Sequence, residues 1–227
     1  MIDLKGLTAV VTGGTGGIGS AIVDKLESFD AKVHPLDRKC RNDLGEFMPD
    51  ILVTAHAAPP LKKSVREMTV LDFKRVMNTD LLRTFKFLKT GFRYMITGNY
   101  GRIINLTSFH TTATYPGMVA YAAAKSGVLG MSRALALELG QYNITVNCVA
   151  PGPIRTPRTQ SFLDKDPKLE ERMIKRTPVG KLGEVEDVAN LVAYLASEHA
   201  GHITGQEFII DGGYTASNYT GDHNEHN

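Results

Sequence analysis

Tyr121 and Lys125 stand four residues apart in the run VAYAAAKSG (119–127), which is otherwise small and mostly apolar. On a helix, side chains at this spacing project the same way, with Cβ atoms about 6 Å apart. A phenol with its ordinary pKa of ~10 is a poor acid–base group at neutral pH. A neighbouring ammonium stabilises the phenolate and draws that value down. Ala120, Ala122, Ala123 and Ala124 let such a helix pack closely without crowding the pair. Thirteen residues before Tyr121 lies Ser108, closing the strand-like run GRIINLTS (101–108). A hydroxyl there can hold a carbonyl oxygen while the phenol passes it a proton. The same spacing also suits a half-buried tyrosine beside a snorkelling lysine, so the pair has to be read with its surroundings.

The second chemical signature is TGGTGGIG (12–19). It follows a β-branched run and opens a helical pattern. Gly13, Gly17 and Gly19 permit a tight turn in which backbone amides approach a phosphate. The helix start at Gly17, Ile18 and Gly19, with Thr15 beside it, offers unpaired N–H groups and a partial positive charge. Eighteen residues past Gly19 comes Asp37, where a carboxylate can accept from an adenosine ribose. It would repel a 2′-phosphate, so NAD is favoured over NADP; Arg38 follows at once and softens that choice.

The elements that must position these groups alternate. Strand patterns cover residues 8–12, 32–37, 50–55, 101–108, 143–150 and 207–210. Helical patterns cover 17–28, 70–96, 117–140 and 184–197. Repeated strand–helix–strand order predicts an α/β fold, a doubly wound parallel sheet flanked by helices. One domain over residues 1–213 is expected, with a polar, loosely ordered tail over 214–227 in which His223 and His226 are solvated. The chain of 227 residues is 42% hydrophobic and 22% charged, ordinary values for a globular protein. Its net charge of +2 makes no case for nucleic acid. No run approaches the ~20 apolar residues of a membrane helix, and no signal peptide is expected. Cys40 and Cys148 lack partners at metal-ligand spacing, so reduced thiols, a cytoplasmic setting and no metal are expected.

Taken together, TGGTGGIG, INLTS followed by YAAAK, NCVAPGPIRTP and the closing ITGQEFIIDGG closely resemble the short-chain dehydrogenase/reductase family over residues 5–213. The resemblance implies a Rossmann-like sheet, a nicotinamide cofactor and hydride exchange between an alcohol and a ketone or aldehyde. It implies Tyr121 as acid–base, Lys125 lowering its pKa and holding the nicotinamide ribose, and Ser108 orienting the substrate oxygen. Thr156 would meet the nicotinamide carboxamide, with the Ile154 backbone beside it. It also implies a homo-oligomer, a tetramer or dimer built on the two long helices.

Three departures stand out. Thr54-Ala55-His56-Ala57 replaces the family's Asn-Asn-Ala-Gly run. Ala55 and His56 would touch the cofactor through their backbone, or His56 would also tune the active site. Asp80 falls where the family places a catalytic asparagine on the long helix. Asp50 comes only thirteen positions after Asp37, so the edge region after the second strand must be shortened, with Asp43 and Leu44 left to supply the adenine contact. In the substrate segment after Pro153, eight basic residues outnumber four acidic ones. That excess is a solvated helical face, or Arg155 and Arg158 hold a substrate anion. Phe109, His110 and Tyr115, between Ser108 and Tyr121, should line the same pocket, and His56 and His110 with these arginines favour a small, polar alcohol/carbonyl substrate. The rival from another class is a nucleotide-binding regulatory protein that has lost turnover.

Overall fold

A computed structural model describes residues 1–37, 44, 47–59 and 61–216. Its sheet runs β2-β1-β3-β4-β5-β6, with every pairing parallel. The strands are β1 (Thr8–Thr12), β2 (Lys32–Leu36), β3 (Ile51–Thr54), β4 (Gly101–Leu106), β5 (Ile144–Pro151) and β6 (Glu207–Ile210). The helices are α1 (Gly17–Glu27), α2 (Val70–Val76), α3 (Arg83–Gly98), α4 (Val119–Leu139), α5 (Pro157–Leu163), α6 (Pro167–Lys175) and α7 (Val185–Ala196).

The strand period of two divides the apolar residues between two cores. Val11, Ile51, Val53 and Ile104 face α1 and α7, where they meet Ile22, Leu26, Val188 and Val192. Their neighbours Val10, Leu52 and Ile103 face the other way, onto Phe87 and Leu88 of α3 and Leu135 and Leu139 of α4. A sheet covered on both sides explains why the strands read as near-continuous apolar runs. β1 pairs with β2 on one side and β3 on the other, so the winding reverses beside it, and a ligand crevice opens at the carboxyl ends of these strands.

The edge region is as short as the sequence implies: among the described residues no strand lies outside β2. Phe47 from the short connection stacks on His34 of β2 with ring centroids 4.2 Å apart. Arg38, Cys40 and Asp43 lie outside the described residues. Lys32 donates its N–H to Leu7 O at 2.9 Å. By alternation Val33 and Pro35 turn their nitrogens away from β1, and Pro35 has no N–H.

Two expectations change, and a third gains its detail. The helix expected over 70–96 carries a π-helical segment, Met77–Leu82, between α2 and α3. Thr84 Oγ1 donates to Asp80 O at 2.9 Å, satisfying a carbonyl in the widened turn. The basic segment after Pro153 folds into α5 and α6. Thr156 caps the first, accepting from Thr159 N, and Asp166 the second, accepting from Lys168 N. The chain is also ordered past residue 213: Thr215 donates its N–H and hydroxyl to Asp211 Oδ2 at 2.8 and 2.6 Å.

Candidate active site

The glycine turn sits where β1 hands over to α1. Gly13 is left-handed at φ +71°, and a Cβ there would come within 2.8 Å of His56 N. A Cβ on Gly19 would lie 2.0 Å from Gly13 O. Both sites exclude any larger residue, so the helix begins close against the strand. The first N–H groups of α1, on Gly17, Ile18 and Gly19, have no acceptor within the helix. Gly13, Thr15, Gly17, Ile18, Gly19, Asp37, Ala55 and His56 all line one large cleft, with Ile154 and Thr156 opposite. That backbone-lined cradle, with a carboxylate at the end of β2, fits the donor and acceptor set of an adenine dinucleotide. Leu44 lies elsewhere: its side chain is buried in the core with Leu36, Leu52 and Phe87, away from the cleft.

Ser108, Tyr121 and Lys125 line the same cleft. Ser108 follows β4 and caps a 3-10 turn, its Oγ accepting from His110 N at 3.4 Å. That contact leaves the hydroxyl proton to be donated. Tyr121 and Lys125 are one turn apart on α4, with Nζ 5.8 Å from the tyrosine ring centroid. Lys125 is 3% exposed, and its Nζ donates to Leu106 O at 2.8 Å. A buried ammonium held by one carbonyl keeps donors for other groups. The alanines do what their size suggests: Ala120 and Ala124 are buried against Ala58 and Val76.

Behind Lys125 lies a polar layer the sequence only hinted at. Asp80 is fully buried and does not line the cleft. Its Oδ1 accepts from Ala58 N, and Oδ2 has no hydrogen-bond partner. Burial pushes its carboxyl above the ordinary range, with Lys125 pulling the other way. Asp80, expected among the catalytic residues, thus sits behind Lys125 and outside the cleft. His56 is 8% exposed. Its Nε2 lies 3.3 Å from Thr84 Oγ1, whose proton goes to Asp80 O. Nε2 therefore carries the proton, and Nδ1 accepts from Thr12 Oγ1 at 2.6 Å. Burial first, then Lys125 and Arg83, lower the His56 pKa to about 3. His56 thus stands neutral, tying the end of β1 to the start of α3. Neither hydroxyl partner, Thr12 or Thr84, is identifiable from sequence spacing.

Ile154 and Thr156 sit between β5 and α5. Thr159 Oγ1 donates to Ile154 O at 2.7 Å, so the Thr156 hydroxyl donates to Thr159 Oγ1 at 3.0 Å. Thr156 Oγ1 also accepts from Thr159 N at 3.0 Å. One lone pair remains, so this hydroxyl can accept from a carboxamide NH₂ but has no proton for a carbonyl. Arg155 does not line the cleft; it pairs outside with Glu170 at 2.5 Å and Glu184 at 3.6 Å. Arg158 does line it.

The cleft holds about 1240 Å³, beyond the ~300–1,000 Å³ of a site for one drug-sized ligand. It has room for a dinucleotide and a second molecule. Around Tyr121 the wall is aromatic. His110 is edge-on to Tyr121 at 5.5 Å and 4.7 Å from Tyr115, while Phe109 lies 5.4 Å from Tyr214. Burial lowers the His110 pKa to about 4. Both histidines therefore stand neutral at neutral pH, and the positive charge at this end of the cleft is carried by the arginines.

The chain matches the sequence profile of the enoyl-(acyl carrier protein) reductase family over residues 38–215. It is 34% identical to the 3-oxoacyl-(acyl-carrier-protein) reductase FabG of Rickettsia bellii, over 94% of this chain and 98% of that one. A protein of Agrobacterium tumefaciens assigned as a 2-deoxy-D-gluconate 3-dehydrogenase, solved with bound NADP, superposes with a TM-score of 0.88 at 26% identity, covering 95% of this chain and 99% of that one. A 7α-hydroxysteroid dehydrogenase solved with NADH and 7-oxo glycochenodeoxycholic acid superposes with a TM-score of 0.85 at 25% identity, over 93% and 95%. Sequence and fold agree along almost the whole length, and the chain belongs to the short-chain dehydrogenase/reductase family.

Proposed function

We propose that this protein interconverts an alcohol and a ketone or aldehyde, with Tyr121 as acid–base, Lys125 as its electrostatic partner and Ser108 as the donor to the substrate oxygen. The observation that carries this reading is the buried Lys125 ammonium one turn from Tyr121, facing the same cleft as Ser108 and the glycine turn. When bound, the nicotinamide supplies or accepts the hydride. The chain's own residues do the rest. Ser108 Oγ–H holds the substrate oxygen. Tyr121 Oη gives that oxygen a proton in reduction and takes it back in oxidation. Lys125, fixed by Leu106 O, stabilises negative charge on the phenol oxygen as the proton leaves.

Gly13, Thr15, Gly17, Ile18, Gly19, Ala55 and His56 would hold the dinucleotide, largely through backbone, with Ile154 and Thr156 at the nicotinamide. Asp37 supports NAD over NADP, since a carboxylate at the end of β2 repels a 2′-phosphate. One solved relative carries NADP and another NADH, so fluorescence titration with NADH and NADPH decides it. The buried thiol of Cys148, pushed up to about 12 by burial, supports a reduced, cytoplasmic setting for a domain that extends through residue 213.

The decisive experiment is Tyr121→Phe. Turnover of a substrate found in an alcohol and ketone panel should fall by about 10²–10⁴-fold while NADH still binds. Dinucleotide binding with no turnover across the panel by the unaltered protein would instead support the regulatory alternative.

A further inference from the structure

We infer that the substrate is an amphiphilic anion: an apolar or aromatic body bearing the carbonyl, and a carboxylate or phosphate held by Arg158, Arg172 and Arg176. This rests on the oxidoreductase reading above and concerns the half of the cleft beyond Tyr121. Leu169, Arg172, Met173 and Arg176 line the cleft from α6. Their spacing of three, four and seven residues is one helical face. From α5, Arg158 and Phe162 line it one turn apart. Both short helices therefore turn an alternation of apolar and guanidinium side chains towards the space in front of the aromatic wall.

Charge on that side is one-signed. Among the described residues that line the cleft, the only carboxylate is Asp37, at the dinucleotide end. Arg158 and Arg176 make no ion pair with a described residue. Arg176 instead lies 4.5 Å from the centroid of Tyr214, on the ring cluster that continues through Phe109 to His110. Arg172 is engaged by Asp166 at the rim of α6, so it carries less of the task. Arg155, off the cleft, is paired with Glu170 and Glu184. Arg158 and Arg176 are exposed where they line the open cleft, and neither is paired with a described residue. Guanidinium groups match the planar or tetrahedral oxygen arrays of carboxylates and phosphates, and the apolar side chains between them suit the rest of the molecule.

Three matched aryl ketones test this: 4-acetylbenzoate, 4-acetylphenyl phosphate and methyl 4-acetylbenzoate. Each is titrated calorimetrically into the full chain, with and without oxidised dinucleotide. At least one anion should bind tenfold or more tighter than the neutral ester, and the better of the two names the headgroup. The doubly substituted Arg158→Gln/Arg176→Gln protein should lose that preference while its affinity for the ester stays. Arg155→Gln should keep the preference, and an unchanged melting temperature in each variant shows that the fold is intact. The ester binding as tightly as both anions, no measurable binding of either anion, or a preference that survives the double substitution would each overturn the inference. Ketone reduction is followed separately; its absence counts against the oxidoreductase reading and leaves the binding result standing.

Discussion

Asp80 and His56 are two titratable groups packed behind Lys125, and each makes stability depend on pH in its own direction. Burial raises the Asp80 carboxyl above its ordinary value of 3.8. As pH rises, the unfolded chain ionises this group first, so a cost to the fold appears above that value. Asp80→Asn keeps an acceptor for Ala58 N–H and removes the cost. Its melting temperature at pH 7 should rise by a few degrees, with a gain that fades on acidification. A lower melting temperature at pH 7 would mean that attraction to Lys125 outweighs desolvation. The pH–rate profile of the same variant should shift, since a charge behind Lys125 changes; an unchanged profile and rate would take Asp80 off the proton path. His56 works the other way. With its pKa lowered from 6.5 to about 3, protons bind the unfolded chain first as pH falls between those values, and stability is lost across that window. The slope is at most about 1.4 kcal/mol per pH unit for one proton. In chemical denaturation followed from pH 7 to 4, His56→Asn should flatten the fall. A slope identical to the parent's would show that His56 takes no part.

Among the elements, the glycine turn makes the sharpest prediction. A Cβ at Gly19 would have to occupy space 2.0 Å from Gly13 O. Gly19→Ala should therefore cost about 2–4 kcal/mol, the scale of an overpacked site, and weaken NADH binding. Gly98→Ala, with nothing within 4 Å of the added carbon, should be near neutral. Thermal melting and fluorescence titration of the pair decide it. Periodicity made most of this scaffold legible: the six strands, the glycine turn and the Tyr121–Lys125 face all follow from local spacing. The π-helical segment did not, because it depends on partners distant in the chain, the Ala58 N–H on Asp80 and His56 against Thr84. α5 and α6 were legible only as one charged helical face without bounds, although Thr156 before Pro157 is a start signal. Leu44 was assigned to the adenine by its place in the chain, whereas packing against Leu36 and Leu52 put it in the core.

At the scale of the whole molecule, the outer faces of the long helices carry exposed apolar groups. Leu71, Leu82 and Phe85 are 76%, 45% and 41% exposed around the π-helical segment, and Leu137 is 88% exposed on α4. These surfaces support the expected homo-oligomer. Sedimentation should give a dimer or tetramer, and Leu82→Lys with Phe85→Lys should shift it towards monomer; an unaltered monomeric parent would dismiss the assembly. The sheet's open margin needs different handling. Because no strand of the described residues lies outside β2, its free side would offer a row of donors to another chain's strand. Pro35 deletes one of them, leaving Val33 as the outward N–H within β2, while Phe47 stacks over His34 beside it. The margin of the sheet thereby resists templating of intermolecular β-structure, because a proline and a stacked ring interrupt the ladder that a foreign strand would have to complete.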